Sequence, residues 1–250
     1  RNLQQVSSRS PVESYHDAYY WLTEAQTMYT HGILTLEQRA AAEVLYQATC
    51  RRVFARLDPR QRAHRELLDE LNEKLADKLF CNFSIFQSMP DIWAIDQIFP
   101  VLPLTRLDEE PTSRNVLQDL TCDSDGTIDG YVDREGVETT LPLPPYRDGE
   151  EYLLGVFMVG AYQEIPGDRH NPFGDTDAVT VELTDDGYRL SGAQGGDTVE
   201  SVLRYVHFDA EDLMAEYRRR VAQAAMPEDE RATALEELEA GLRGYTYLED

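Results

Sequence analysis

Apolar residues recur at helical spacing along the first third of the chain. Val12, Tyr15, Tyr19, Leu22 and Tyr29 follow Ser10-Pro11, a helix start with proline at the first helical position, and His31-Gly32 stops the run. Thr35 with Gln38 three residues on is a capping-box signature. It opens a second helix through Ala41, Val44, Leu45 and Ala48 to Leu57. Asp58-Pro59 ends that helix and begins a third, with a stripe of Leu67, Leu68, Leu71, Leu75 and Leu79. Three helices joined by short loops should pack antiparallel. Lys74 and Lys78, the only two lysines, lie four apart in the third pattern and read as a solvated helix face.

The period changes at Phe80. Phe83, Ile85 and Phe86 predict a short strand, Pro90, Pro100 and Pro103 punctuate the chain, and Asp108-Glu109-Glu110-Pro111 marks a loop. Between 116 and 190 the pattern predicts strands over 116–120, 139–143, 153–159, 179–183 and 188–190. Asp185-Asp186-Gly187 joins the last two as a hairpin turn. Strands at this spacing suggest a sandwich or small barrel. Asp197 or Thr198 then caps a helix carrying Val199, Val202, Leu203 and Val206. Asp209 caps another, and Pro227 precedes a last helix ending near Gly241. The expected fold class is α+β, divided into a helical bundle over 1–79, an antiparallel β domain over 80–194 and C-terminal helices over 195–250.

Composition narrows the function. The 250 residues carry 47 acidic and 23 basic side chains, a formal net charge of −24. That disfavours nucleic acid and anionic membrane surfaces as partners, because both need a positive field, and it would draw in a cationic small molecule. No apolar run reaches the ~18 residues that would span a bilayer. The chain opens at Arg1 without an initiator Met, so an excerpt or a proteolytic product is expected, with the true start upstream. Cys50, Cys81 and Cys122 show no Cys-x-x-Cys spacing and the five His no ligand spacing, which fits a reducing cytoplasm better than zinc or a disulfide framework. Gly195-Gly196 lacks the spacing of a phosphate loop.

Two segments carry candidate chemistry. In Thr121-Cys122-Asp123-Ser124-Asp125-Gly126 a thiol and two carboxylates follow an apolar run, at a strand end where scaffolds present reactive groups. Ordinary turn composition explains the same residues. An EF-hand is excluded, because its first ligand would be Thr121 and its twelfth Val132. Downstream, Gly160-Ala161-Tyr162-Gln163-Glu164 ends the predicted strand 153–159 and is followed by His170-Asn171-Pro172-Phe173-Gly174-Asp175. The Tyr162 phenol could donate to a phosphate or simply pack its ring in the core.

Taken together, a strand ending in Cys-Asp and a later one ending in Gly-Ala-Tyr resemble the C-terminal β domain of the alanine-racemase-like, pyridoxal-phosphate-dependent basic amino acid decarboxylases. Within that group, Asn82-Phe83-Ser84-Ile85-Phe86-Gln87-Ser88-Met89-Pro90-Asp91 resembles the biosynthetic arginine decarboxylases. So do Thr121 to Gly126, Gly160 to Glu164, Asn171 to Thr176 and the terminal Gly241-Leu242-Arg243-Gly244-Tyr245-Thr246-Tyr247-Leu248-Glu249. The helical segment looks like the insertion that the bacterial enzymes carry.

The resemblance implies L-arginine as substrate, agmatine and carbon dioxide as products, pyridoxal phosphate and magnesium as cofactors, and a place in polyamine (spermidine) synthesis. It implies an upstream (β/α)8 barrel bearing the Schiff-base lysine, absent from this chain, and a homo-oligomer, at least a dimer, whose site is shared between subunits. Tyr162 would then bond the cofactor phosphate, Cys122 would protonate the substrate carbanion, and Asp123 would face the substrate's distal cation, with Phe173 and Asp125 lining the site. A thiol of ordinary pKa, ~8.5, is mostly protonated at neutral pH and can serve as the acid. A carboxylate can take two parallel hydrogen bonds from a guanidinium. The wider group has Asp-Gly where this chain has Phe83-Ser84, so Asp91 or Asp96 would take over that substrate contact. Three other readings stay open, the first two being a decarboxylase of another basic amino acid and a non-catalytic paralogue that regulates an active enzyme. An acidic interaction module with coincidental motifs is the third.

Overall fold

The computed structural model describes residues 10–133 and 136–249. Three helices come first: α1 (Pro11–Thr30), α2 (Leu36–Phe54) and α3 (Arg62–Lys74). Short strands and two short helices follow: β1 (Asp77–Phe80), α4 (Ile85–Ser88), α5 (Pro90–Ile95), β2 (Val101–Pro103), β3 (Ser113–Gln118), β4 (Thr127–Ile128), β5 (Tyr131–Asp133), β6 (Gly136–Glu138), β7 (Leu141–Leu143) and β8 (Leu154–Val156). The chain ends with α6 (Ala161–Glu164), the hairpin β9 (Ala178–Thr184) and β10 (Gly187–Gln194), and helices α7 (Val199–Tyr205), α8 (Ala210–Gln223) and α9 (Glu228–Arg243). The class is α+β. The expected antiparallel β region is present among the described residues as small antiparallel sheets, one of four strands and three of two, and most strands are only two to four residues long.

Two compact units divide the chain. One comprises the described parts of Arg1–Lys78, Pro103–Val116 and Glu135–Leu153; the other, of Leu79–Leu102, Leu117–Arg134 and Leu154–Asp250. This division departs from three consecutive segments, since 103–116 and 136–153 lie with the helices and the C-terminal helices lie with the second unit.

In the first unit, α1 begins at Pro11 as its proline predicts. The box at Thr35 forms in full: Thr35 Oγ1 accepts from the Gln38 N–H and Gln38 Oε1 accepts from the Thr35 N–H. The buried cluster is Tyr15, Cys50, Val53, Leu67 and Leu71. On α2 the inward face is therefore Tyr46, Thr49, Cys50 and Val53, an i, i+3, i+4, i+7 set with the same spacing as the predicted Ala41, Val44, Leu45 and Ala48 but on a different face. Val44 and Leu45 stay exposed. Helix α3 starts at Arg62, three residues past Pro59, and Leu79 belongs to β1. Lys74 is no free surface lysine: its Nζ donates to Tyr15 Oη at 2.5 Å and to Glu70 Oε1 at 2.8 Å, and it faces the Tyr15 and Tyr19 rings. Antiparallel pairing joins β3 to β7 through Ser113↔Leu143 and Asn115↔Leu141.

In the second unit, the segment predicted as a strand at Phe83–Phe86 is a turn and the short helix α4. Ser84 caps it by accepting from the Gln87 N–H, Ile85 and Phe86 are buried with Met89, and Pro90 starts α5. The end of β3 pairs with β4 through Leu117↔Ile128 and Gln118↔Thr127. Buried Tyr131 ties that strand down, its hydroxyl accepting from the Leu117 N–H at 2.8 Å and donating to the Ile128 carbonyl. Strand β8 stops at Val156, three residues short of the predicted end. The hairpin β9–β10 forms as expected, with Leu183 opposite Tyr188 and Val181 opposite Leu190. Thr198, not Asp197, caps α7, and Asp209 caps α8 by accepting from the N–H groups of Glu211 and Asp212. The amide of Asn82 holds the chain end by donating to the Leu248 carbonyl and accepting from its N–H.

Candidate active site

A buried carboxyl group shapes the first site loop. Asp119, 2 % exposed at the end of β3, accepts from the Ile85 N–H at 2.8 Å, the Thr121 N–H at 2.9 Å and the Thr121 hydroxyl at 2.7 Å. Its own N–H reaches the Gly126 carbonyl, so the segment from Thr121 to Asp125 is pinned at both ends as a loop. Glycine is required at 126 because a Cβ there would lie 2.1 Å from Asp119 Oδ1. Gly174 has the same constraint, with a Cβ position 2.3 Å from that of Asp197.

The loop after α6 meets this one side chain by side chain. Cys122 Sγ donates to Asn171 Oδ1 at 3.2 Å, and His170 Nε2 stands 3.2 Å from Asp123 Oδ2. The other Asp123 oxygen accepts from the Asp125 N–H at 3.0 Å. That backbone bond, and then the His170 contact, hold the Asp123 carboxyl below the usual carboxylate range, so it keeps its charge further into acid. Trp93 donates from its indole N–H to Asp125 Oδ2 at 3.0 Å. Phe86 packs between the two rings, with its centroid 4.6 Å from His170 and 5.5 Å from Trp93. Of the three thiols, Cys122 is the exposed one. Burial pushes Cys81 up to about 11 and raises Cys50 as well, which keeps both inert.

The other predicted residues are distributed around this pair of loops. Tyr162 sits on α6 and is 88 % exposed, so the core-packing alternative for it fails. Beside it, buried Gln163 grips Asp91: Gln163 Nε2 donates to Asp91 Oδ2 at 2.7 Å, and the Asp91 N–H donates to Gln163 Oε1 at 3.1 Å. Phe173 stacks on Tyr247 with centroids 5.2 Å apart, and the Tyr247 hydroxyl donates to the Gly174 carbonyl. Sequence reasoning singled out neither His170 nor Asn171 as contacts of the Cys-Asp pair, and it passed over Asp119. The signals were there: an Asp inside an apolar run just before a turn, and a His-Asn pair in a loop rich in glycine and proline.

Residues 1–72 match the family model for the arginine decarboxylase helical bundle domain, and residues 199–248 that for the arginine decarboxylase C-terminal helical extension. The biosynthetic arginine decarboxylase of Alkalilimnicola ehrlichii is 69% identical over 245 residues, which are 98% of this chain and 39% of that protein. The enzyme of the same name from Marinobacter nauticus is 52% identical over 98% of this chain and 38% of its own length. The crystal structure of the biosynthetic arginine decarboxylase from Campylobacter jejuni superposes with a TM-score of 0.82 at 30% identity, covering 99% of this chain and 39% of that one. The chain thus spans about two fifths of the length of the relatives it matches. With a bundle at one end, the helical extension at the other and the likeness running through the site loops between them, the chain belongs to the arginine decarboxylase family.

Proposed function

We propose that this chain is the part of a biosynthetic arginine decarboxylase that supplies the proton donor and the substrate-end carboxylate for converting L-arginine to agmatine and carbon dioxide. The observation that carries the reading is the placement of Cys122 and Asp123 side by side on one loop, both exposed enough to reach a ligand and both held by the loop opposite. A thiol beside a carboxylate offers a proton and a cation anchor in one place. The carboxylate selects a guanidinium because it can receive two parallel N–H bonds. The name and extent of the relatives support the same substrate. The site works in a reducing cytoplasm and is completed by a second subunit and by the barrel portion that the relatives' greater length accommodates. No helix among the described residues is long and apolar enough to cross a membrane.

The residues present fit pyridoxal phosphate. Among the described residues Asn171 Nδ2 is a buried donor with no hydrogen-bond partner, and the exposed Tyr162 hydroxyl is a second available donor. Tyr162 would hold the phosphate. The cofactor, when bound, supplies the electron sink for carbon dioxide loss. Among the described residues no group of three or more His, Cys, Asp or Glu is placed to hold a metal ion, so no magnesium ligand is assigned. In the full-length enzyme, Tyr162→Phe is expected to weaken cofactor retention by about 0.5–1.5 kcal/mol, or somewhat more for a charged partner. A cofactor titration with equal affinity for mutant and parent removes Tyr162 from the phosphate site.

Asp123→Asn tests the substrate assignment. The side chain keeps its size while one acceptor oxygen becomes a donor and the charge is lost. A charge-assisted contact is worth about 1.5–3 kcal/mol, so kcat/KM for arginine should fall about tenfold to a hundredfold, mostly through KM. Unchanged steady-state kinetics would place Asp123 outside the arginine site.

A further inference from the structure

The two site loops pair neighbour with neighbour, Asn171 with Cys122 and His170 with Asp123. We propose that His170-Asn171 is the positioning pair of this site: His170 orients the Asp123 carboxylate for a fork-shaped cation, and Asn171 aims the S–H of Cys122. The proposal rests on the reading that Asp123 and Cys122 meet the substrate.

A carboxylate has about four lone-pair sites, two on each oxygen. In Asp123 the Asp125 N–H takes one on Oδ1 and His170 Nε2 takes one on Oδ2. One site remains on each oxygen, the number that a guanidinium fork requires. The two protein donors also resist rotation, since turning the carboxylate breaks one of them. His170 holds its place because Phe86, buried at 4 % exposure, forms a wall against its ring, and Trp93 backs Phe86. Trp93 in turn bonds Asp125, whose N–H is the other donor to Asp123.

Asn171 shows the same division of labour for the thiol. Its backbone is left-handed (φ 57°), a conformation that asparagine tolerates better than most residues. Loop-forming asparagines commonly bond nearby backbone groups. The side chain of Asn171 bonds the Cys122 thiol instead, and its Nδ2 has no partner among the described residues. Accepting the S–H bond gives the proton one direction.

The test is a split of kinetic parameters in the full-length, cofactor-loaded enzyme. His170→Ala is expected to raise KM for arginine about five- to tenfold with kcat within about twofold, and His170→Gln, whose amide reaches where Nε2 stands, to recover most of the loss. Asn171→Gly keeps the left-handed backbone and removes the acceptor. It should lower kcat about tenfold with KM within about twofold, and iodoacetamide should alkylate Cys122 faster than in the parent. A loop serving only the fold would move both parameters together in both variants. That outcome, or no change in either, overturns the proposal when Asp123→Asn still raises KM and Cys122→Ala still lowers kcat. If those two variants are silent as well, the reading of the site itself has failed. Should His170→Ala not fold, His170→Leu, which lacks the donor, is compared with His170→Gln, and equal KM values for the two overturn the role of His170.

Discussion

Cys122→Ala in the full-length enzyme should slow agmatine formation by about 10²–10⁴, the usual contribution of a positioned general acid. It should also divert part of the turnover. The electron pair left by carbon dioxide can be protonated on the substrate carbon or on a second carbon that shares it, and the second outcome is transamination. Removing the thiol takes away the proton aimed at the first. Neither of the chain's other cysteines can stand in, since Cys50 is 1 % exposed and burial has raised Cys81. Chromatography of the products against time reads both effects. An unchanged rate and yield of agmatine takes the proton-donor role away from Cys122.

Asp119→Ala is the second large effect, on stability. It leaves three donors without their acceptor: the N–H groups of Ile85 and Thr121 and the hydroxyl of Thr121. Each unsatisfied buried group costs about 1–3 kcal/mol. Thr121 is partly exposed and water can recover some of its loss, so about 3–5 kcal/mol in total is expected. Asp119→Asn keeps one acceptor oxygen and should lose less than half as much. The two variants, compared by denaturant unfolding, should fall in that order with the alanine midpoint far below the parent. A loss below about 1 kcal/mol for Asp119→Ala would mean that the loop is held by other groups. Because Cys122 and Asp123 ride on that loop, activity should fall with stability.

Helix starts were readable because their signals are local: Pro11, the Thr35–Gln38 box and Asp209 act on atoms within a few residues. The buried face of α2 was not, because the choice between Val44-Leu45 and Cys50-Val53 depends on where Tyr15, Leu67 and Leu71 lie. The short strand expected at Phe83–Phe86 failed for a related reason. An apolar run of a few residues fits either element, and Ser84 with Pro90 decides for a helical turn. The antiparallel β region was legible from strand spacing, but its division into small sheets was not, since spacing does not reveal that many segments pair over only two or three residues. At the site, Cys122, Asp123 and Tyr162 stood out as residues that packing does not ask for. Their partners His170 and Asn171 lie 47 and 49 positions from Asp123 and Cys122, and no local rule links residues that far apart. Lys74 illustrates the same limit: its spacing from Lys78 suggested solvent, and Tyr15, 59 residues away, holds it.

The central claim is that this chain serves arginine decarboxylation, and substrate profiling of the full-length, cofactor-loaded protein tests it most directly. Release of carbon dioxide and amine product is measured with L-arginine, L-ornithine, L-lysine and diaminopimelate at matched concentrations. The account predicts agmatine from arginine at a kcat/KM at least tenfold above that of any ammonium-ended competitor, in line with the fork geometry left open on Asp123. Preference for one of the ammonium-ended substrates, or no turnover of arginine by the loaded enzyme, would contradict it.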